Sequence, residues 1–194
     1  MKLDETEGNI AHDRFGRHDG TLIGGPVWQP TGGKLNGALQ FDGTDDYVNA
    51  GCVLDPADGA FSAFAWIKGG EPGEVIISQT DAGGFGSTWL GMSTSNGKLC
   101  TSLCWFERTA ELVITDDRWH HIGLVWNGSR RYLYGDGEML VGDTTDQMVL
   151  SSPGNLHFGV DRNLTAGTFW TGLIGDVRIC NRPLSPDEVA ALAD

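Results

Sequence analysis

The stretch RWHHIGLVWNGSRRYLYGDGE, residues 118–138, decides the fold class because its side chains alternate with the two-residue period of a β-strand. Ile122, Leu124 and Trp126 fall on one face of the first run, and Val125 falls on the other. Residues 127–128 are Asn-Gly and residues 136–137 are Asp-Gly, two pairs that favour tight hairpin turns. The stretch therefore predicts antiparallel strands joined by short turns.

Similar short runs recur along the whole chain, with little helical periodicity between them. We predict strands at residues 38–42, 46–50, 61–68, 74–79, 88–93, 98–107, 112–114, 119–126, 131–134, 138–141, 156–160 and 173–180. A length of 194 residues with 29 glycines suits one domain built from such strands. The pattern predicts an all-β fold, an antiparallel two-sheet β-sandwich spanning residues 1–194.

One helix is predicted, at the C-terminal end, where the sequence reads LSPDEVAALAD. Ser185 is a natural N-cap, Pro186 fits the first helical position, and Glu188 stands three residues after the cap, which completes a capping box. Val189 and Leu192 should then face the sandwich.

The charge balance excludes one class of partner. Acidic residues outnumber basic ones by 26 to 13, and the net charge of −13 disfavours nucleic acid. No apolar run approaches the roughly 20 residues of a membrane span, so we expect no membrane insertion. The N-terminus carries no apolar signal-peptide segment, and we expect the domain to be cut from a longer protein.

Five segments, in this order, carry a resemblance to a known family: LDETEGNIAHDRFGRHDGTL, GALQFDGTDDYV, FSAFAWIK, RWHHIGLVWNGSRRYLYGDGE and FWTGLIGDVRICNRPLSPDEVAAL. Together they resemble the laminin G-like domains of the concanavalin A-like lectin/glucanase superfamily. The resemblance implies a jelly roll of two curved antiparallel sheets. It also implies a non-catalytic module of an extracellular or cell-surface protein that binds glycans or other proteins.

The motifs of related enzymes are missing. Laminarinase-type hydrolases carry E-x-D-x-x-E, which places two carboxylates on one face of a strand, and no such string occurs here. His120 and His121 are a possible catalytic base, but no G-x-S-x-G elbow accompanies them. We predict that the domain is not an enzyme.

A structural calcium ion is a further expectation from the resemblance. The family binds it with carbonyls near the N-terminus and with the Asp of a D-x-V-R string in the last strand. Here the string reads GDVR, so Gly175 replaces the acid and Asp176 follows it. The remaining candidates are Asp13, Asp42 and Asp176, while Asp45 and Asp46 are predicted to be solvated turn carboxylates.

Ligand recognition should involve tryptophans, whose flat faces stack on sugar rings, together with polar side chains. Trp66 and Trp119 match core positions of the family. The candidate ligand-binding residues are Trp89, Trp105, Glu107, Arg108, Asp81 and Trp170. Alternation would place Leu103, Trp105 and Glu107 on one face of the run 98–107. A loop at residues 79–88 could form a rim with Asp161 and Arg162.

The four cysteines show no CxxC spacing and are predicted to be buried free thiols, with a Cys52–Cys180 bridge left open. The first functional hypothesis is a carbohydrate-binding, lectin-like module. Two alternatives are a protein-interaction or adhesion domain and a structural spacer. The net charge disfavours sulfated or uronate glycans, unless a patch of Arg108, Arg130 and Arg131 reverses it.

Overall fold

The computed structural model describes residues 1–80, 86–144, 149 and 151–194. Its strands are β1 Ile10–Ala11, β2 Gly20–Ile23, β3 Val27–Gln29, β4 Ala38–Asp42, β5 Tyr47–Asn49, β6 Phe61–Gly69, β7 Val75–Thr80, β8 Gly86–Met92, β9 Lys98–Thr101, β10 Arg108–Val113, β11 His120–Trp126, β12 Arg130–Gly135, β13 Glu138–Thr144, β14 Leu156–Phe158 and β15 Thr171–Cys180. They form two antiparallel sheets in the orders β1-β2-β5-β14-β7-β8-β9-β10 and β13-β12-β11-β6-β15-β4-β3. The predicted two-sheet jelly-roll sandwich is confirmed.

Alternation gives the eight-stranded sheet an apolar inner face and a polar outer face. Neighbouring strands align one apolar row across the sheet, formed by Leu22, Val48, Phe158, Ile77 and Leu90. Four of these five side chains are fully or almost fully buried and Leu22 is partly buried against the same core. The adjacent row consists of Thr21, Asn49, His157, Ser78 and Thr88. Side chains of consecutive strand residues point to opposite faces, so this row points away from the core row, with the bulge between β7 and β8 bringing Thr88 into it. Ser78 and His157 are nevertheless buried, and the Ser78 hydroxyl donates to the Val160 carbonyl.

The C-terminal helix, α1 Pro186–Ala193, covers the outer face of the seven-stranded sheet. The Ser185 hydroxyl accepts a hydrogen bond from the Glu188 backbone N–H, and the Glu188 carboxylate accepts one from the Ser185 N–H. Val189 is fully buried against Phe64 and other apolar residues of that face. The predicted capping box and the predicted buried side of the helix are both confirmed.

Two parts of the fold differ from the prediction. The strand predicted at 98–107 ends at Thr101, and residues 102–107 form a turn instead. Three short N-terminal strands, β1 to β3, were not predicted, since they are two to four residues long and pair with distant segments. The described part of the chain contains no helix with the length and apolar character of a membrane span.

All four cysteines are free thiols, as predicted, and Cys52 and Cys180 form no bridge. Cys100 and Cys104 are buried, and burial raises the pKa of their thiols to about 12 and about 11. Cys52 is exposed, which contradicts the expectation that all four would be buried.

Candidate functional site

A turn between β9 and β10 presents two aromatic side chains to solvent. We call residues 102–107, with the sequence SLCWFE, the aromatic turn. Trp105 is 58% exposed and Phe106 is 66% exposed, while Leu103 and Cys104 just before them are buried. Exposed large aromatic groups held on a buried base are typical of a recognition surface.

The backbone of the aromatic turn takes an uncommon conformation. Cys104 and Trp105 have φ values of 67° and 72°, in the left-handed region that non-glycine residues rarely adopt. The Leu103 N–H donates to the Thr101 hydroxyl (3.2 Å) and the Trp105 N–H donates to the Ser102 carbonyl (3.1 Å). Such strained residues persist where the surrounding structure holds them, and they cluster at functional sites.

A buried arginine holds the turn from within the sandwich. Nη1 of Arg131, which is 4% exposed, donates to the backbone carbonyls of Leu103 and Phe106. Nε and Nη2 of the same guanidinium donate to the Asp143 carboxylate at 3.0 and 2.8 Å. These hydrogen bonds hold the pKa of Asp143 below its usual value. The aromatic turn is therefore fixed in place before any ligand arrives, which lowers the entropic cost of binding.

A small polar pocket of about 140 Å³ adjoins Trp105. Its lining consists of Gly86, Ser87, Ser102, Cys104, Trp105, Ser152 and Arg162. Arg162 Nη1 donates to the Gly86 carbonyl at 3.1 Å. The loop that carries Arg162 is ordered by Asp161, whose carboxylate accepts from the Thr165 N–H and hydroxyl at 2.8 and 2.9 Å. An aromatic face, three hydroxyl groups and a guanidinium can together bind a polyhydroxylated ligand.

The sequence candidates divide between this surface and the core. Glu107 and Arg108 are exposed at the end of the aromatic turn, next to Trp105. Glu107 lies outside the strands and Arg108 begins β10, because the predicted strand 98–107 ends at Thr101 and the chain turns. Arg162, expected in a rim, lines the pocket with Trp105. Asp81 lies outside the described residues.

Two predicted ligand-binding tryptophans are core residues instead. Trp89 and Trp170 are both 0% exposed, so neither offers a face to a ligand. The Trp89 ring packs on Phe61 with a centroid distance of 4.6 Å. Trp66 is buried, as predicted, and Trp119 is half-buried. Trp89 points into the core from β8. The bulges between β7 and β8 interrupt the simple alternation of side chains, so alternation alone could not predict this direction.

Sequence reasoning named Arg131 only as part of a possible charged patch with Arg108 and Arg130, whereas the residue is buried, and it missed the three serines of the pocket. Arg131 could have been found, because alternation in RRYLYG places it on the same face as the core residue Leu133. Ser87, Ser102 and Ser152 carry no comparable signal, since three separate segments bring them together.

Two of the three residues proposed for calcium, Asp13 and Asp176, line one pocket, and Asp42 does not line it. Asp42 pairs in register with Thr171, five residues before Asp176 on β15, which separates the two acids by about 16 Å along the strand. The Asp176 carboxylate forms an ion pair with Arg178 at 2.7 Å. A Cβ at Gly175 would lie 3.0 Å from the Gly37 carbonyl, which leaves little room for an acidic side chain there. Asp42 is therefore too far from Asp176 to bind the same calcium ion, and Asp176 already has Arg178 as its partner.

A second acidic group differs from its prediction. The carboxylate oxygens of Asp42, Asp45 and Asp46 lie within 4.8 Å of one another. Asp46 is 5% exposed rather than solvated, and it accepts a hydrogen bond from the Asp42 N–H at 3.1 Å. Burial raises the pKa of Asp46. The group ties the Asp42 turn together, and Asp45 alone is the solvated carboxylate that was expected.

The adjacent histidines have structural partners. His120 Nδ1 lies 2.9 Å from Asp136 and Nε2 lies 3.0 Å from Asp116. His121 is 1% exposed and stacks on Phe64 with a centroid distance of 5.4 Å. Among the described residues no serine or cysteine hydrogen-bonds to either ring, so neither histidine forms a Ser–His or Cys–His pair.

Two curved antiparallel sheets with a capping C-terminal helix define a jelly-roll module of the concanavalin A-like type. The chain belongs to the Laminin_G_3 family, described as the concanavalin A-like lectin/glucanases superfamily, whose model matches residues 42–190. No curated protein sequence matches the chain.

Three solved structures share the fold. Domain 4 of AbnA, a GH43 extracellular arabinanase from Geobacillus stearothermophilus in complex with arabinotriose, has a TM-score of 0.79 at 17% identity, covering 100% of this chain and 96% of that one. The binding domain of Paraclostridial Mosquitocidal Protein 1 has a TM-score of 0.74 at 13% sequence identity, and the match covers 96% of this chain and 50% of that one. Trypanosoma rangeli sialidase in complex with sialic acid has a TM-score of 0.76 at 16% sequence identity, and the match covers 99% of this chain and 32% of that one. This chain thus spans half of the second structure and about a third of the third.

Proposed function

We propose that the domain is a non-catalytic carbohydrate-binding module of a larger extracellular or cell-surface protein. The observation that carries the proposal is the aromatic turn, in which a buried Arg131–Asp143 pair fixes the base and Trp105 is 58% exposed. An exposed tryptophan on a rigid base offers a large flat surface for a sugar ring at low entropic cost.

The polar groups around Trp105 support the same function. Ser87, Ser102 and Ser152 supply hydroxyl groups, and Arg162 supplies N–H donors, within one pocket. Sugars present many hydroxyl groups that both donate and accept, so mixed donors and acceptors beside an aromatic face suit them. The fold relationship to domain 4 of an arabinanase, solved in complex with arabinotriose, is in keeping with this role.

The lack of a catalytic pairing supports a binding role rather than hydrolysis. A retaining or inverting glycosidase needs two carboxylates that flank the scissile bond. Within the described residues, no aspartate or glutamate lines the pocket beside Trp105. The ligand would therefore be held without being cleaved.

Affinity gel electrophoresis with plant, algal and microbial polysaccharides tests the proposal. We expect at least one polysaccharide to retard the protein, and W105A to weaken the affinity by about tenfold or more, since buried aromatic anchors commonly contribute upwards of about 1.4 kcal/mol. F15A is a matched control, because Phe15 is 80% exposed and lines a different pocket.

Retardation equal for the wild type and W105A would reject the aromatic turn as the site. If no polysaccharide retards the protein, the carbohydrate proposal fails, and the protein-interaction hypothesis takes its place.

A further inference from the structure

The pocket beside the aromatic turn is lined by Arg162, whose guanidinium forms no ion pair with any acid of the described residues. Among the described residues, the arginines that form ion pairs are Arg118, Arg131, Arg178 and Arg182, and Arg162 is not one of them. The neighbouring acid, Asp161, directs its carboxylate to the N–H groups of residues 163 and 165. The guanidinium of Arg162 thus keeps its positive charge available within the pocket.

The guanidinium is also held in place while much of its donor capacity stays unused. Within the described residues its one hydrogen bond runs from Nη1 to the Gly86 carbonyl, at 3.1 Å. Its Nε is buried, and no described residue accepts a hydrogen bond from it. Because Nε is closed to solvent, a ligand can reach only the Nη1–Nη2 end of the guanidinium, which can still donate to both oxygens of a carboxylate.

The volume and the other lining residues of the pocket limit which carboxylate-bearing ligand can bind there. A volume of about 140 Å³ is well below the roughly 300 Å³ and more of pockets that enclose drug-sized molecules, so it admits one unit of a chain. Trp105 offers a ring face, and Ser87, Ser102 and Ser152 offer hydroxyl groups. Resting on the proposed function, we infer that the pocket binds an acidic sugar, a uronate or similar unit whose carboxylate pairs with Arg162.

The net charge of −13 does not oppose this inference at physiological salt. Exposed charges separated by more than about 8 Å are largely screened at that ionic strength, so the nearest groups decide. Two acids close by in the fold are Glu107 and Asp55, and neither lines the pocket. Glu107 accepts from the Thr109 hydroxyl, and Asp55 accepts from the N–H groups of Ala57 and Ser152. The expectation that uronate glycans are disfavoured is replaced by this local argument.

An array of matched glycan pairs, each with an acidic and a neutral member of the same skeleton, tests the inference. The pairs are glucuronate and glucose, galacturonate and galactose, mannuronate and mannose, and sialylated and asialo oligosaccharides. We expect the wild type to bind at least one acidic member about tenfold or more above its neutral counterpart. R162Q should remove that difference in affinity. R162K should retain part of it, since lysine keeps the positive charge but lacks the paired N–H donors of a guanidinium.

R130Q is the matched control, because it removes the same charge from an exposed position on β12. Its glycan preference should equal that of the wild type. Melting temperatures of R162Q and R162K close to that of the wild type will show that the fold is retained.

The inference is overturned if the bound glycans are neutral, or if R162Q leaves the acidic preference unchanged. It is also overturned if R130Q abolishes the preference as R162Q does, since overall charge would then be the cause. Neutral glycans bound through Trp105 would leave the proposed function intact, whereas an array with no bound glycan would reject both.

Discussion

Arg131 and Asp143 form a bidentate ion pair, with Nε–Oδ1 at 3.0 Å and Nη2–Oδ2 at 2.8 Å, between the neighbouring strands β12 and β13. The third nitrogen of the guanidinium donates to the carbonyls of Leu103 and Phe106 in the aromatic turn. One side chain therefore joins the edge of the seven-stranded sheet to the aromatic turn of the other sheet. The position of the exposed Trp105 therefore depends on a residue that is 4% exposed.

Removing this arginine should affect both stability and binding. R131M leaves two backbone carbonyls without their donor and Asp143 without its partner, so we expect the free energy of unfolding to fall by about 3 kcal/mol. D143N keeps one amide oxygen as an acceptor and should cost less. Urea denaturation measures the change, and R130M on the exposed side of the same strand should stay within about 0.5 kcal/mol of the wild type. Equal stability of R131M and R130M would contradict the assigned role.

The tryptophans should separate into two classes. W89A and W170A each remove a fully buried ring, and we expect each to lower the free energy of unfolding by about 3–5 kcal/mol. W105A removes a ring that is 58% exposed, so its effect on stability should stay below about 1 kcal/mol while glycan binding is lost. Chemical denaturation combined with affinity gels checks both. A stable W89A protein that fails to bind glycan would place the site elsewhere.

The buried His121 should make the protein less stable in acid. Burial lowers its pKa from 6.5 to about 4, so between these pH values the unfolded chain binds a proton that the folded chain does not. Stability is therefore highest above about pH 6.5 and decreases as the pH falls towards 4. The decrease amounts to about 3 kcal/mol at about 1.36 kcal/mol per pKa unit.

H121F provides the control for this pH dependence. Phenylalanine can take the place of the ring stacked on Phe64, and the unpaired buried Nδ1 of His121 is removed with the substitution. Thermal melts from pH 7 to pH 4 should show a smaller decrease for H121F than for the wild type. The decrease in stability that remains in H121F will include a contribution from His157, because burial also lowers the pKa of that residue. Parallel curves for the two proteins would show that His121 does not titrate as described.

Calcium should not stabilise the fold through the acids first expected to bind it. Asp176, which lines a pocket with Asp13, is already paired with Arg178. Asp42 on β4 pairs with Thr171, five residues before Asp176 and so about 16 Å from it. We expect equal melting temperatures in EDTA and in millimolar calcium. A rise with calcium concentration that D176N removes would contradict this expectation, because a ligand that binds only the folded state must stabilise it.

The sequence predicted those features that depend on local patterns. Alternation placed Ile122, Leu124 and Trp126 in the core, and the Ser185–Glu188 capping box fixed the start of the helix. Both signals act between residues that are close in sequence. They determine the element types and, through the family segments, the fold.

The prediction failed where a tertiary contact overrides local preference. Residues 102–107 were predicted as a strand because tryptophan and phenylalanine favour strands. In the structure, Arg131 binds the carbonyls of Leu103 and Phe106, and the chain turns with positive φ at Cys104 and Trp105. No glycine marks this turn, so its conformation depends on an arginine about 28 residues away along the chain.

The most direct test follows the indole N–H signals of ¹⁵N-labelled protein by nuclear magnetic resonance while the strongest-binding glycan is added. The signal of Trp105, assigned by its loss in W105F, should shift and saturate, while those of Trp89 and Trp170 stay in place because both rings are buried. A saturable shift of Trp105 alone would support glycan recognition by the aromatic turn. Saturable binding with an unmoved Trp105 signal would contradict it.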